Sequence, residues 1–271
     1  MKVVYLGDVV GRAGREAVLA RLPDIKARLK PDLVVVNGEN AAAGFGITGK
    51  IADAFFEAGI DVITTGNHAW DQKETQSYIN QQPRLIRPIN YPAGTAGQGS
   101  VIVEDVRGRK ALIINVMGRI FMDPLDDPFA GVARVLEKAT LGGTVQFVLV
   151  DIHCEATSEK MAMGHFVDGR ATLVVGSHSH VPTADAQILD GGTAYQTDAG
   201  MCGDYNSVIG MEKEQPLQRF TRKISTGRFT PALGEATVCG VFVESDDRTG
   251  KAKFVAPLRL GGRLMEHWPQ Y

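Results

Sequence analysis

The feature that most restricts the fold of this chain is a repeated unit: a short Val/Ile/Leu-rich run that leads into a polar loop. Val3-Val4-Tyr5-Leu6 precedes Gly7-Asp8, and Leu33-Val34-Val35-Val36-Asn37 precedes Gly38-Glu39-Asn40. Asp61-Val62-Ile63-Thr64 precedes Gly66-Asn67-His68. The strand over residues 146–151 leads into the cluster Asp151-Ile152-His153, and residues 171–175 into Gly176-Ser177-His178-Ser179-His180. Short runs of this kind, bounded by turn residues, read as buried strands. Helical spacing lies between them. Val18, Leu22, Ile25 and Leu29 recur every third or fourth residue, and Pro23 is expected to start a fresh turn or kink that helix. Thr48 can cap a helix over residues 49–58 that Gly59 closes. Further helices are expected over residues 72–81, 132–139 and 158–166.

Alternating strands and helices imply an α/β layered fold. In open sheets of this class the carboxyl ends of the strands form the ligand crevice, so polar clusters at successive strand ends can meet in space. The segment 83–99, rich in Pro and Gly, reads as an extended loop. Residues 100–104 and 110–116 read as paired strands around Gly108. Beyond residue 184 the pattern is mostly strands, over 186–189, 193–197, 237–244 and 253–260. With no internal repeat, low-complexity stretch or linker, the economical division is one domain over residues 1–271.

Composition narrows the function classes. Lys+Arg total 29 against 31 Asp+Glu, a net charge of -2, without the basic excess that non-specific nucleic-acid binding draws on. Stable nucleic-acid binding is therefore not expected, whereas a small phosphorylated substrate is compatible. Cys154, Cys202 and Cys239 are odd in number and far apart, which suits a reducing compartment rather than a disulfide framework. No run approaches the length needed to span a bilayer, and a cytoplasmic location is expected. Assembly with further copies of the chain is left open.

The chain has six histidines, and His68, His153, His178 and His180 all fall in the strand-end loops, beside Asp8 and Glu39. A lone histidine after a strand is usually a hydrogen-bonding residue; several in step with two carboxylates suggest metal ligands. His165 and His267 belong to no such cluster. Gly44-Phe45-Gly46-Ile47-Thr48-Gly49-Lys50 satisfies G-x-x-x-x-G-K, but Ile51 follows where a P-loop needs Ser or Thr for magnesium. It reads better as a glycine-rich loop flanking the site, with Lys50 a solvated residue or a phosphate contact. Arg12 has the same two readings. Cys154 has no clear base partner and reads as a buried thiol.

The ordered set Asp8, Gly38-Glu39-Asn40, Gly66-Asn67-His68, His153 and Gly176-Ser177-His178-Ser179-His180 resembles the calcineurin-like metallophosphoesterase superfamily. Two departures narrow the resemblance. Val10 stands where the superfamily has a histidine, and Glu39-Asn40 where it has an aspartate. With Gly7-Asp8-Val9-Val10-Gly11-Arg12, Asn37-Gly38-Glu39-Asn40-Ala41-Ala42 and Gly66-Asn67-His68-Ala69-Trp70-Asp71, this is similar to the bacterial YmdB-like branch, which includes 2′,3′-cyclic-nucleotide phosphodiesterases. The likeness continues through Arg87-Pro88-Ile89-Asn90-Tyr91-Pro92.

The resemblance implies an αββα sandwich, two mixed sheets flanked by helices, with two divalent metal ions. One ion would take Asp8, Glu39 and His180, with Asn40 replacing the missing histidine; the other would take Glu39, Asn67, His153 and His178. Glu39 would bridge them. Mixed imidazole, carboxylate and amide donors suit iron, manganese or zinc, and the resemblance favours iron or manganese. A bridging hydroxide would attack a phosphodiester, best a 2′,3′-cyclic nucleotide, with His68 as general acid. Asp71 would either orient His68 or cap the helix after Trp70. A phosphomonoesterase or nucleotidase lies within the same chemistry. A regulatory metalloprotein that binds a nucleotide or protein partner with little turnover is the alternative from another class.

Overall fold

Strands that are apolar along their whole length have no face to offer to water, and the computed structural model buries them accordingly. It describes residues 1–223 and 227–270. In chain order the elements are β1 (Lys2–Leu6), β2 (Asp8–Val9), α1 (Gly11–Leu29), β3 (Leu33–Asn37), α2 (Gly49–Glu57), β4 (Val62–Thr64) and α3 (Thr75–Tyr78). There follow β5 (Ser100–Glu104), β6 (Lys110–Met117), α4 (Pro128–Leu136), β7 (Phe147–His153), α5 (Thr157–Phe166) and β8 (Leu173–Ser177). The remainder are β9 (Gln187–Ile188), β10 (Ala194–Gln196), β11 (Met201–Cys202), α6 (Glu214–Arg222), β12 (Val238–Ser245) and β13 (Ala252–Leu260).

One sheet has the order β13-β12-β1-β3-β4, with β1, β3 and β4 parallel and β12 antiparallel to β1. A second has the order β5-β6-β7-β8-β10-β9, parallel from β6 to β10 and antiparallel at both edges. β2 and β11 form a short ladder that pairs Asp8 with Met201. The result is a mixed α/β structure with several sheets and helices. Because side chains alternate along a strand, each buried strand feeds two cores. Val4, Leu6, Val34 and Val36 pack with Val18, Leu22 and Ile25 of α1 and Phe55 of α2. Val3, Tyr5 and Val35 join Ile113, Leu149 and Leu173 of the other sheet. Leu112, Ile114, Val148 and Val150 pack with Val132 of α4 and Met163 of α5.

Several boundaries differ from the sequence reading. α1 runs through Pro23, whose ring is exposed while Val18, Leu22, Ile25 and Leu29 stay buried. The buried face holds the helix across the missing amide. The helix expected over 72–81 shortens to α3 because side chains tie this segment to the preceding loop. Gln72 Nε2 donates to Phe45 O at 2.7 Å, Thr75 Oγ1 to Ile47 O at 2.6 Å, and Glu74 Oε1 accepts from Gly49 N at 2.9 Å. α4 begins four residues early, at Pro128, since Asp127 accepts from Phe129 N and Ala130 N. β7 and β8 extend to His153 and Ser177, and this brings the metal-binding candidates to the last rung of the sheet. α6 has no counterpart in the sequence reading.

Candidate metal centre

Each strand end delivers its side chains through a local device. Asn37, the last residue of β3, accepts from Glu39 N at 3.0 Å and so turns the chain to place Glu39 and Asn40 at the end of the sheet. After β4, Gly66 leaves room for two side chains to approach: an added Cβ would lie 2.3 Å from Glu39 Oε2 and 2.4 Å from His153 Nε2. After β8 the backbone enters the left-handed region at His178 (φ 89°) and His180 (φ 65°). Such conformations cost about 1–3 kcal/mol each away from glycine and persist only where the surroundings enforce them. Here the enforcement is a buried ion pair. Lys160 Nζ donates to Asp198 Oδ2 at 2.7 Å, and the same oxygen accepts from Ser179 N and Ser179 Oγ.

The side chains converge on His153 Nε2. It lies 2.8 Å from Asn67 Oδ1, 3.0 Å from Glu39 Oε1 and 3.1 Å from His178 Nδ1. One imidazole nitrogen cannot donate to all three, and beyond that shared nitrogen the buried Glu39 Oε1 has no donor among the described residues. Atoms coordinated about 2.1 Å from one ion stand about 3.0 Å apart along an octahedral edge. The observed spacings suit a cation in the midst of these atoms. Among the described residues, Glu39, His153 and His178 have ligating atoms all within 4.8 Å of one another.

The Asp8 side is more open. Asp8 Oδ1 lies 4.0 Å from His180 Nε2 and 3.9 Å from His153 Nδ1, and both carboxylate oxygens face His178 N. His180 Nδ1 lies 2.8 Å from Ile209 O, which makes Nδ1 the donor and leaves Nε2 as the nitrogen facing Asp8. Asn40 Nδ2 donates to Gly44 O at 3.1 Å, while Asn40 Oδ1 is buried without a partner among the described residues. The two orphaned oxygens, on Glu39 and Asn40, are what an oxygen-seeking cation would satisfy, so the donor set fits divalent metal.

Electrostatics agree. Burial pushes the Asp8 carboxyl up, against the pull of His180 and His153. Burial would raise Glu39 too, but His153 beside it holds it below the usual carboxylate range. Burial works against a charged His153, yet the Glu39 and Asp8 carboxylates outweigh it and lift the imidazole to about 9. Burial and then the nearby His153 drive His178 down to about 3, leaving it a neutral donor. The cluster therefore carries buried negative charge that a proton or a cation must offset.

His68 stands at the rim. Its backbone N–H donates to Glu39 Oε2 at 3.2 Å, its Nδ1 lies 3.0 Å from Asp71 Oδ2, and its ring meets Phe45 edge-on with centroids 5.1 Å apart. Asp71 thus reaches His68; the residue before α3 is Glu74, so Asp71 caps no helix there. A cavity of about 570 Å³ is lined by Glu39, Asn40, His68, His178 and His180 and continues between Phe45 and α6. Lys50 and Arg12 line other surface hollows; Arg12 pairs with Glu16 at 3.9 Å. Neither reaches the cluster's cavity. Cys154 is a buried thiol pushed up to about 12 by burial and Glu159.

Comparison with known proteins now decides the kinship. A family profile described as "YmdB-like protein" matches residues 4–258. The chain belongs to the YmdB-like family. It is 45% identical over 252 residues to the Bacillus subtilis (strain 168) 2′,3′-cyclic-nucleotide 2′-phosphodiesterase, covering 93% of this chain and 94% of that one. A crystal structure of a hypothetical protein from Thermus thermophilus superposes with a TM-score of 0.90 at 44% identity, covering 97% of this chain and all of that one, 100%. A novel phosphatase from Mycoplasma pneumoniae gives a TM-score of 0.89 at 35% identity, over 96% of this chain and 93% of that one.

In this YmdB-like chain the roles of the supporting residues escaped the sequence reading, although Asp151 and Ser177 stand in the strand-end clusters it marked. Asp151 Oδ1 accepts from Ser177 Oγ at 2.7 Å, and Ser177 Oγ lies 2.9 Å from His153 Nδ1, fixing that ring from behind. Glu155 Oε2 lies 3.2 Å from His178 Nε2, which directs His178 Nδ1 into the cluster. Asp151 and Glu155 flank His153 in sequence, and that proximity was the one available signal. Nothing local marked Lys160 or Asp198. Among the described residues no helix is long and apolar enough to cross a membrane.

Proposed function

We propose that this YmdB-like protein is a metal-dependent phosphoric diester hydrolase whose best substrates are 2′,3′-cyclic nucleotides. The supporting observation is the convergence of Glu39, Asn67 and His178 on His153 Nε2, with that shared nitrogen the one donor within reach of Glu39 Oε1 among the described residues. Glu39, Asn67, His153 and His178 would hold one ion; Asp8, Glu39, Asn40 and His180 would hold a second. Iron or manganese is favoured, with zinc compatible with the same donors. When bound, two such ions supply Lewis acidity and a water activated near neutral pH.

The chain's own residues do the rest. Glu39 uses its two carboxylate oxygens to tie the two ligand groups together. Asp71 holds His68 through Nδ1, leaving Nε2 to pass a proton to the departing oxygen. Asp151 and Ser177 keep His153 oriented, and Glu155 does so for His178. The three clusters on either face of the two sheets read as an αββα sandwich forming one domain. Free Cys154, Cys202 and Cys239 suit the cytoplasm.

The test is a panel of 2′,3′-cyclic nucleotides, linear diesters and monoesters, assayed with iron, manganese and zinc. Hydrolysis of the cyclic nucleotides that disappears in Glu39→Ala is expected. Nucleotide binding without hydrolysis under any of the metals would instead favour a regulatory protein.

A further inference from the structure

The cavity beside the metal centre has two chemically different ends. Opposite the acids and imidazoles, its wall is made of Phe45, Met211, Pro216, Phe220 and Phe229, with Arg219 the one Lys or Arg that lines it among the described residues. Its volume, about 570 Å³, lies in the range of small-molecule sites and exceeds what a phosphate group alone would fill. We propose that this apolar end is a subsite for the planar base of a nucleotide whose phosphate lies at the metal centre. The proposal rests on the phosphodiesterase reading and adds to it where the base goes and which side chains select it.

Three observations carry it. First, Phe45 bridges the two ends: its ring lies 5.1 Å from that of His68, at 83°, so an aromatic surface begins one ring away from the proton donor. Second, the nearby guanidinium groups lie over rings and are not gathered into a phosphate cradle. Arg228 Cζ is 5.1 Å from the Phe45 centroid and Arg219 Cζ is 5.6 Å from that of Phe229. A base presents a π face to the rings and polar edge atoms to the guanidinium groups, and so satisfies both. A simple alkyl diester or a free phosphate would leave the rings wet. Third, α6 buries only Pro216, while Phe220 is 70% exposed on the cavity side. An exposed phenylalanine lining a cavity is apolar surface that a ligand can cover. Ile209 joins the two ends: it lines the cavity and its carbonyl holds His180.

The decisive experiment compares kcat/KM for 2′,3′-cyclic AMP with that for the 2′,3′-cyclic phosphate of 1-O-methylribose, which has no base. It uses the metal-loaded wild type and the Phe229→Ala, Phe229→Leu and Phe229→Tyr variants. Stacking of one base on one ring is worth a factor of roughly 5–150, so the ratio falls by that amount in the Ala and Leu variants, through KM, and recovers in the Tyr variant. A ratio that stays at the wild-type value in both Ala and Leu overturns the subsite. Calorimetry with adenosine 3′-monophosphate against inorganic phosphate separates this claim from the activity itself. At least tenfold tighter, Phe229-dependent binding of the nucleotide without turnover of any diester sinks the phosphodiesterase reading and keeps the subsite. Diester turnover without that preference sinks the subsite alone.

Discussion

Asp8, Glu39 and His153 are at most 1% exposed and sit at the ends of buried strands, whereas α6 across the same cavity leaves Leu217 52% and Phe220 70% exposed. The first region is braced from behind by the Asp151–Ser177 hydrogen bond and the Lys160–Asp198 ion pair, and it tolerates left-handed backbone at His178 and His180. The second is held by one buried proline and ring contacts. Groups that bind metal must be positioned to about half an ångström, which rigid strand ends provide. A wall that receives a flat, apolar ligand has no such demand and can remain loosely packed.

The contrast can be broken at either end. The largest effect is expected at His68: His68→Ala should cost roughly 10²–10⁴-fold in turnover while metal content stays at the wild-type level. Turnover and metal lost together would assign His68 to ligation or folding. Next, Asp198→Ala leaves Lys160 charged and buried beneath the His178–His180 loop, and should destabilise the chain by about 3–5 kcal/mol in urea unfolding. A loss under 1 kcal/mol would mean that the loop is held by something else. Glu155→Ala should weaken metal binding about tenfold, the low end of what supporting contacts contribute, because Glu155 is half exposed. Unchanged affinity would remove it from the account.

Two smaller effects mark the limits of the rigid region. Arg109 Nε and Nη2 donate to Asp105, and Arg107 N and Arg109 N donate to it as well. Burial would raise the Asp105 carboxyl, but these bonds hold it below its ordinary value of 3.8. The resulting stability is present above that value and disappears as pH falls through the lower, folded-state value. The Tm advantage of the wild type over Arg109→Met should therefore be constant from pH 5 to 7 and shrink below about pH 4. An advantage that grows on acidification would reverse the sign. Smallest of all, Phe220→Ser should change stability by less than about 0.5 kcal/mol, since nothing in α6 but Pro216 is buried. A larger loss would show α6 to be part of the core.

What the sequence revealed follows the same division. β1, β3, β4, β7 and β8 were legible because each is a β-branched run closed by glycine or a polar residue. The candidates at their ends were legible because their residue types are rare and fall in step. Asp151, Ser177 and Lys160 were not, since their roles come from approaches across the fold, such as Asp151 to Thr64 at 2.5 Å. α6 was missed for another reason. Glu214-Gln215-Pro216-Leu217-Gln218-Arg219-Phe220 has a proline inside its first turn and only Pro216, Leu217 and Phe220 as apolar residues, so its place beside the cavity appears only in three dimensions. The shortened α3 and early α4 were decided by a few side-chain bonds to the backbone, which periodicity does not register.

The central claim is that one carboxylate serves two metal ions, and metal stoichiometry tests it most directly. Elemental analysis of the purified chain, reconstituted with iron or manganese, should find two ions per polypeptide, and Glu39→Gln should lower the occupancy of both. A chain that binds the same number of ions with and without the Glu39 carboxylate, and hydrolyses diesters equally in both forms, would contradict it.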